Sequence, residues 1–190
     1  MLKVNFSPFP ELTTTRLLLR KLDAADTEQF FKLRSNKEVM KHIGKVPMTT
    51  INEARDFIKM INGLLESNSG ITWAMALKEE PAKLIGTIGH WRIIKEHFRA
   101  EIGYMLLPEY WRKGLTKEAL IKVLDYGFNE LKLHSVEGHI TPLNIGSTKV
   151  LESTGFKREA LFKEDFFFNE KFEDTAIYSL LRRNFSGKAL

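Results

Sequence analysis

A strand-length apolar run, Ile102 to Leu107, passes through Pro108–Gly114 into a helical pattern that opens near Thr116. This strand–turn–helix junction constrains the chain more than any other stretch, because both sides of the turn are already committed. The first N–H groups of a helix lack internal partners and carry the positive end of its dipole, so such a turn can hold an anion. Gly114 lets the backbone approach closely, while Arg112 and Lys113 add charge and Trp111 can wedge the turn against the fold. Lys117 stands in the first helical turn, where a cation opposes the dipole unless a polyanion sits there. The bland alternative is a surface turn before an ordinary amphipathic helix.

A chain of 190 residues builds one well-buried core and is short for two. With 43% hydrophobic and 28% charged residues, it reads as globular and soluble. No apolar run approaches the ~18 residues of a membrane span, and Met1–Pro10 does not read as an export signal. The absence of cysteine excludes disulfides, a thiolate nucleophile and cysteine zinc sites, and it suits the cytoplasm. The net charge of +5 is interleaved with acids rather than gathered in a block, so one anion site explains it as well as an RNA footprint does. His42, His90, His97, His134 and His139 show no ligand spacing, so no metal is expected.

The elements alternate between the two backbone periods. Leu12–Leu22 reads as a strand, and a helix capped by Asp23 or Asp26 runs to about Ser35. Residues 36–48 read as a loop or broken helix. Thr50 with Glu53 forms a capping box for a helix to Glu66. Strands are expected at Ile71–Lys78, Leu84–Ile94 and Ala100–Leu107, then a helix from Thr116 to Leu131 and a strand at Ser135–Thr141. Asn144 caps a helix that Gly155 closes, and Phe156–Phe167 with Asp174–Arg182 makes a final hairpin around Asn169–Glu173. The division expected is an N-terminal segment (1–11), a single α/β (α+β) domain (12–183) and a frayed tail (184–190).

In this order the chain resembles the GNAT N-acetyltransferase superfamily, nearest its Rim-type (RimJ/RimL-like) branch. The residues that carry the likeness are Thr14, Arg16, Leu17, Leu19 and Arg20; Gly86–Gly89; and Ala100–Tyr104. Next come Tyr110, Trp111, Lys113, Gly114, Glu118 and Ala119, followed by Asn144, Ser147, Glu152, Gly155 and Phe156, and finally Asp174 with Tyr178–Leu180. One departure is Thr116, where the superfamily's phosphate motif usually has Gly or Ala; a β-branched residue there leaves less room, although its hydroxyl can meet a phosphate oxygen.

The resemblance implies a mixed, mostly antiparallel central sheet flanked by helices. It also implies transfer from acetyl-CoA to a primary amine within a ternary complex, the acceptor being a protein N-terminus or a small amine. Backbone amides of Arg112, Lys113, Gly114, Leu115 and Thr116, with Lys117 beside them, are expected to grip the pyrophosphate. Met105, Leu106 and Leu107, separated by a splay from Ser135–Thr141, are expected to pair with the pantetheine arm like an added strand, helped by Asn144. An N–H near Met105 or Leu106, freed by a bulge in that strand, would meet the developing oxyanion. Glu101 is the first choice of general base, against a plain strand glutamate paired with Arg92 or Arg99. Ser147 is the candidate to protonate the thiolate, against local backbone bonding. His90 and His139 read as strand residues that either pack or face the acceptor. Phe166, Phe167 and Phe168 read as core by default, otherwise as an acceptor groove or homodimer contact. Tyr104 and Tyr178 read as core or cleft wall, and residues 36–50 with the closing hairpin are expected to shape the acceptor site. The contrasting class is a non-catalytic RNA- or ribosome-binding module on the same fold.

Overall fold

The architecture follows from which strand residues find partners on both sides. The computed structural model describes residues 1–187, which hold an eight-stranded sheet in the order β1-β2-β3-β4-β5-β6-β8-β7. The strands are β1 (Leu12–Thr13), β2 (Leu17–Lys21), β3 (Ile71–Leu77), β4 (Gly86–Ile94), β5 (Arg99–Leu106), β6 (Ser135–Ile140), β7 (Lys157–Phe168) and β8 (Lys171–Leu181). Every pairing is antiparallel except that of β5 with β6. The mixed, mostly antiparallel sheet is thus as expected.

Helices cover both faces. On one side lie α1 (Thr27–Ser35), α2 (Lys37–Met40) and α3 (Ile51–Glu66), whose Phe30, Leu33, Val39, Ala54, Ile58 and Ile61 pack with Ala74 and Leu107. On the other lie α4 (Leu115–Asp125) and α5 (Ile145–Glu152), with Leu120, Val123, Leu124 and Leu151 against Trp73, Ile88, Ile102 and Val136. The period-2 alternation of β3 divides Trp73 and Met75 from Ala74 between the two cores.

Three elements depart from the sequence expectation, each for a local reason, while the stretch read as a loop or broken helix holds one short helix. The first strand breaks at Thr14–Arg16, because Thr14 Oγ1, Arg16 N–H and Arg16 Nε all donate to the Glu118 carboxylate on α4 (2.6, 2.8 and 2.8 Å). Residues 36–48 contain α2, where the Asn36 side chain accepts from the N–H groups of Glu38 and Val39. The helix after the turn widens into a π turn over Tyr126–Glu130. Finally, the closing hairpin turns tightly at Asn169 and Glu170, both left-handed, matching the right-handed strand twist.

The termini are tied down. Leu2 and Phe6 are buried, and Trp73 Nε1 donates to the Pro10 carbonyl at 2.7 Å. Residues 182–184 form a 3₁₀ turn and the Phe185 ring meets Phe128 at 5.2 Å, so the frayed tail expected from Asn184 does not begin there. Residues 188–190 lie outside the described residues. Among the described residues no helix is long and apolar enough to cross a membrane.

Candidate active site

The site begins where two neighbouring strands part. β5 and β6 pair only through Arg99–Glu101 and Ser135–Glu137. Beyond that vertex β6 stays with β8 as far as Ile140, while β5 stays with β4 as far as Leu106. One edge of β5 is therefore open from Ile102 onward. Antiparallel pairing alternates which residues face the partner. Leu107 N–H donates to Ile85 at 2.9 Å, so Met105 and Gly103 also spend their main-chain groups on β4. Tyr104 and Leu106 then turn theirs toward the gap. The Trp111 indole accordingly donates to the Leu106 carbonyl at 2.7 Å, leaving the Leu106 N–H open.

The bulge expected in β5 lies instead in β4, at Trp91, between the register positions of His90 and Arg92. The β5 amides are freed by the departure of β6, not by an inserted residue. The bulge has another effect. It places Trp91 over Gly103 and Arg92 opposite Glu101, on the side of the sheet that carries α1–α3.

At the far end of the gap, the turn after β5 has Arg112 and Gly114 in the left-handed region, with φ of 59° and 75°. Gly114 is the N-cap of α4 and supplies no side-chain cap, so the first amides of the helix are left for a ligand. The turn is braced from behind: Arg16 Nη1 donates to the Lys113 carbonyl at 2.9 Å, and Arg16 pairs with Glu118 at 2.7 Å. Burial disfavours the Glu118 charge, but the donors from Thr14 and Arg16 outweigh it and hold the carboxyl below its usual range. Lys113 itself points over the Tyr110 ring, 5.4 Å from its centroid.

The third wall is the N-terminus of α5. The Asn144 side chain caps it by accepting from Ser147 N–H at 3.0 Å. Tyr104 OH lies 3.5 Å from the Ser147 carbonyl. Burial pushes the Tyr104 phenol up to about 12, with a hydrogen bond from Ser147 working the other way. The phenol thus stays protonated beside the gap.

These parts enclose a cleft of about 730 Å³. It is lined by Met105, Leu106, Arg112, Gly114, Leu115, Thr116, Lys117, Asn144 and Ser147 among the residues expected from sequence. Leu107 is buried beneath it, in the core under α1–α3. Glu101 is outside this lining, at the vertex and on the face opposite Tyr104. Its carboxyl is raised by burial; His139, Arg92 and a hydrogen bond from Trp91 pull it down, whereas Glu137 pushes it up. Arg99 pairs with Glu137 at 3.5 Å rather than with Glu101. His90 is fully buried against Val123 and takes no part.

Tyr104, read from sequence as core or cleft wall, lines the cleft, and residues 36–50, expected to shape the acceptor side, contribute a wall of Glu38, Val39, Lys41, His42 and Ile43. The Asn36 cap was the available signal for that wall. Gly44, just beyond it, lies against the Phe166 ring of the closing hairpin, so loop and hairpin meet on the α1–α3 side. Phe166 and Phe167 are exposed rather than core, and Phe168 is only partly buried.

An extended strand edge leading from a vertex to a cluster of open helix-terminal amides suits a long ligand with amides along its length and phosphate at one end. Comparison with known proteins agrees. Residues 16–157 match a family described as acetyltransferase (GNAT) domain. The chain is 37% identical over 176 residues to the uncharacterized N-acetyltransferase p20 of Bacillus licheniformis, covering 93% of this chain and 98% of that one. The spermidine N-acetyltransferase of Vibrio cholerae, solved with CoA and spermine, superposes with a TM-score of 0.79 at 25% identity, covering 88% and 96% of the two chains. RimL, a ribosomal L7/L12 alpha-N-protein acetyltransferase solved with coenzyme A, shares the fold: TM-score 0.83, 18% identity, 90% and 98% covered. Nothing in these likenesses supports an RNA-binding module.

Proposed function

Because the chain belongs to the GNAT acetyltransferase family, with acetyl-CoA as co-substrate and an amine as acceptor, we propose that donor and acceptor meet through the gap between β5 and β6 from opposite faces of the sheet. The observation that carries this reading is the open β5 edge. Tyr104 and Leu106 expose main-chain groups along it, and it ends at the amides after Gly114. The fit is chemical as well as geometric: a diphosphate answers the open helix end with Arg112 and Lys117, and the pantetheine amides answer the strand edge. When bound, acetyl-CoA supplies the activated acetyl group. The Leu106 N–H polarises its carbonyl, and the Ser147–Tyr104 pair provides the proton for the departing sulfur.

Glu101 is the base, reached from the α1–α3 side directly or through one water. The acceptor enters between residues 38–43 and the closing hairpin. Glu38, Glu101 and Glu137 lie on that side among Lys41, Arg92 and Arg99, and Glu173 acts on His42 there, so carboxylates are at hand to meet an ammonium group. A polyamine, as in the Vibrio protein, is the first acceptor to try, and a protein N-terminus, as in RimL, is the second. The cysteine-free composition suits the cytoplasm.

The test is release of CoA thiol across a panel of spermidine, spermine, free amino acids and short peptides with free N-termini. Turnover fastest with the polyamines supports the reading; no turnover with any primary amine refutes it. On the best acceptor, Glu101→Gln should lower kcat by about 10²-fold or more, the usual contribution of a general base, with the KM for acetyl-CoA little changed.

A further inference from the structure

At the vertex of the gap, three titratable side chains stand together on one face. Glu101 and Glu137 are register partners in the parallel pair, so their side chains point the same way, and His139, two residues on, joins them. One ligand-type atom from each of the three lies within 4.8 Å of the others, and His139 Nε2 is 3.5 Å from Glu137 Oε1. Burial decreases in one direction only. Glu101 and Glu137 are partly buried, whereas His139 keeps 33% of its side-chain surface exposed. A base that is shielded while it works must return its proton to solvent before the next turnover. This cluster sets a run of polar side chains, spaced for bridging water, between Glu101 and the surface.

We propose that His139 and Glu137 are positioning residues that form the proton exit for Glu101. The ammonium acceptor loses a proton to the Glu101 carboxylate, freeing the amine lone pair for attack. The carboxylic acid then passes that proton to the neutral His139 imidazole, across a gap one water can close, and the imidazolium releases it to bulk water. Glu137 holds the ring and stabilises its charged form. Charge and protons balance with water as the only further participant. The other charged groups facing this cluster are Arg92 on β4, opposite Glu101, and Arg99 on β5, paired with Glu137. Lys157 on β7 lies in the same row through Ser179 of β8.

This inference rests on Glu101 being the base, and the experiment separates the two. The pH dependence of kcat/KM is measured with acetyl-CoA and the fastest amine of the panel above, for the wild type, E101Q, E137Q and H139Q. Removing His139 takes away a ring whose protonated form favours ionised Glu101, so the acid limb of H139Q moves to higher pH. Removing Glu137 takes away a repelling anion, so the limb of E137Q moves to lower pH. In addition kcat of H139Q falls about five- to tenfold, less than the loss of a base itself, and added imidazole restores it. Opposite shifts with imidazole rescue support the exit. An acid limb unchanged in H139Q, or a loss that imidazole does not repair in a variant with wild-type thermal unfolding, overturns it. If E101Q itself keeps the wild-type acid limb, the assignment of the base has failed rather than that of its exit.

Discussion

Gly114 has a φ of 75° at the position where α4 must present its first amides, and a Cβ there would meet nothing closer than Arg16 Nη2 at 3.6 Å. Gly114→Ala therefore tests backbone conformation rather than collision. The left-handed region costs a residue with a Cβ about 1–2 kcal/mol, and relaxation of the turn swings its N–H groups off the phosphate. CoA affinity by calorimetry should fall about tenfold, with the unfolding midpoint lowered by a few degrees. Behind the turn, Glu118 has a folded pKa below its unfolded value. Its contribution is therefore complete above the ordinary carboxylate range and fades as pH falls through the folded value. Glu118→Gln should cost about 1–2 kcal/mol in urea unfolding at pH 7 and progressively less toward pH 3, since a protonated carboxyl does little more than the amide.

At the scale of elements, α4 shows how a buried polar ring shapes a helix. His90 Nε2 lies 3.1 Å from the Val123 carbonyl, and a Cβ on Gly127 would come within 2.6 Å of that same nitrogen. The ring thus occupies the place where the π turn opens. Burial pushes the imidazole down to about 4 from an ordinary 6.5. Below pH 6.5 the unfolded chain binds a proton that the folded one refuses, so stability drops as pH falls toward 4 and is flat with respect to His90 above 6.5. His90 alone should contribute about 3 kcal/mol to that drop. Comparing unfolding free energies of the wild type and His90→Gln at pH 7 and pH 4.5 checks it: the difference between the two proteins should shrink in acid. The same helix explains a failure of sequence reading, because the apolar spacing of Leu120, Val123, Leu124 and Phe128 suits an α-helix throughout. The π turn is set by a histidine from another strand, which periodicity does not register.

For the molecule as a whole, what could be read from sequence was whatever the backbone period and local caps dictate. The Asn144 cap, the Thr50–Glu53 pair and the glycine of the phosphate turn each stand where their local chemistry put them. Pairing across the sheet was less accessible. Nothing within Ala100–Leu107 tells that β6 leaves after three register pairs, or that Trp91 rather than a β5 residue bulges. Those facts depend on which strand captures β6, a contact made with β8 from the end of the chain. The side of the cleft proposed for the acceptor is likewise non-local, since α2, its following loop and the hairpin that meets it are distant in sequence.

In the proposed complex the donor's arm completes the sheet at the open edge of β5. Amide hydrogen exchange, residue by residue with and without saturating CoA, tests it most directly. The Tyr104 and Leu106 amides should exchange freely in the free protein and become protected when CoA binds, together with Leu115 and Thr116. Met105, already bonded to β4, should be protected in both states. Protection of Met105 that appears only with CoA, or Leu106 exchange unaltered by it, would contradict the account.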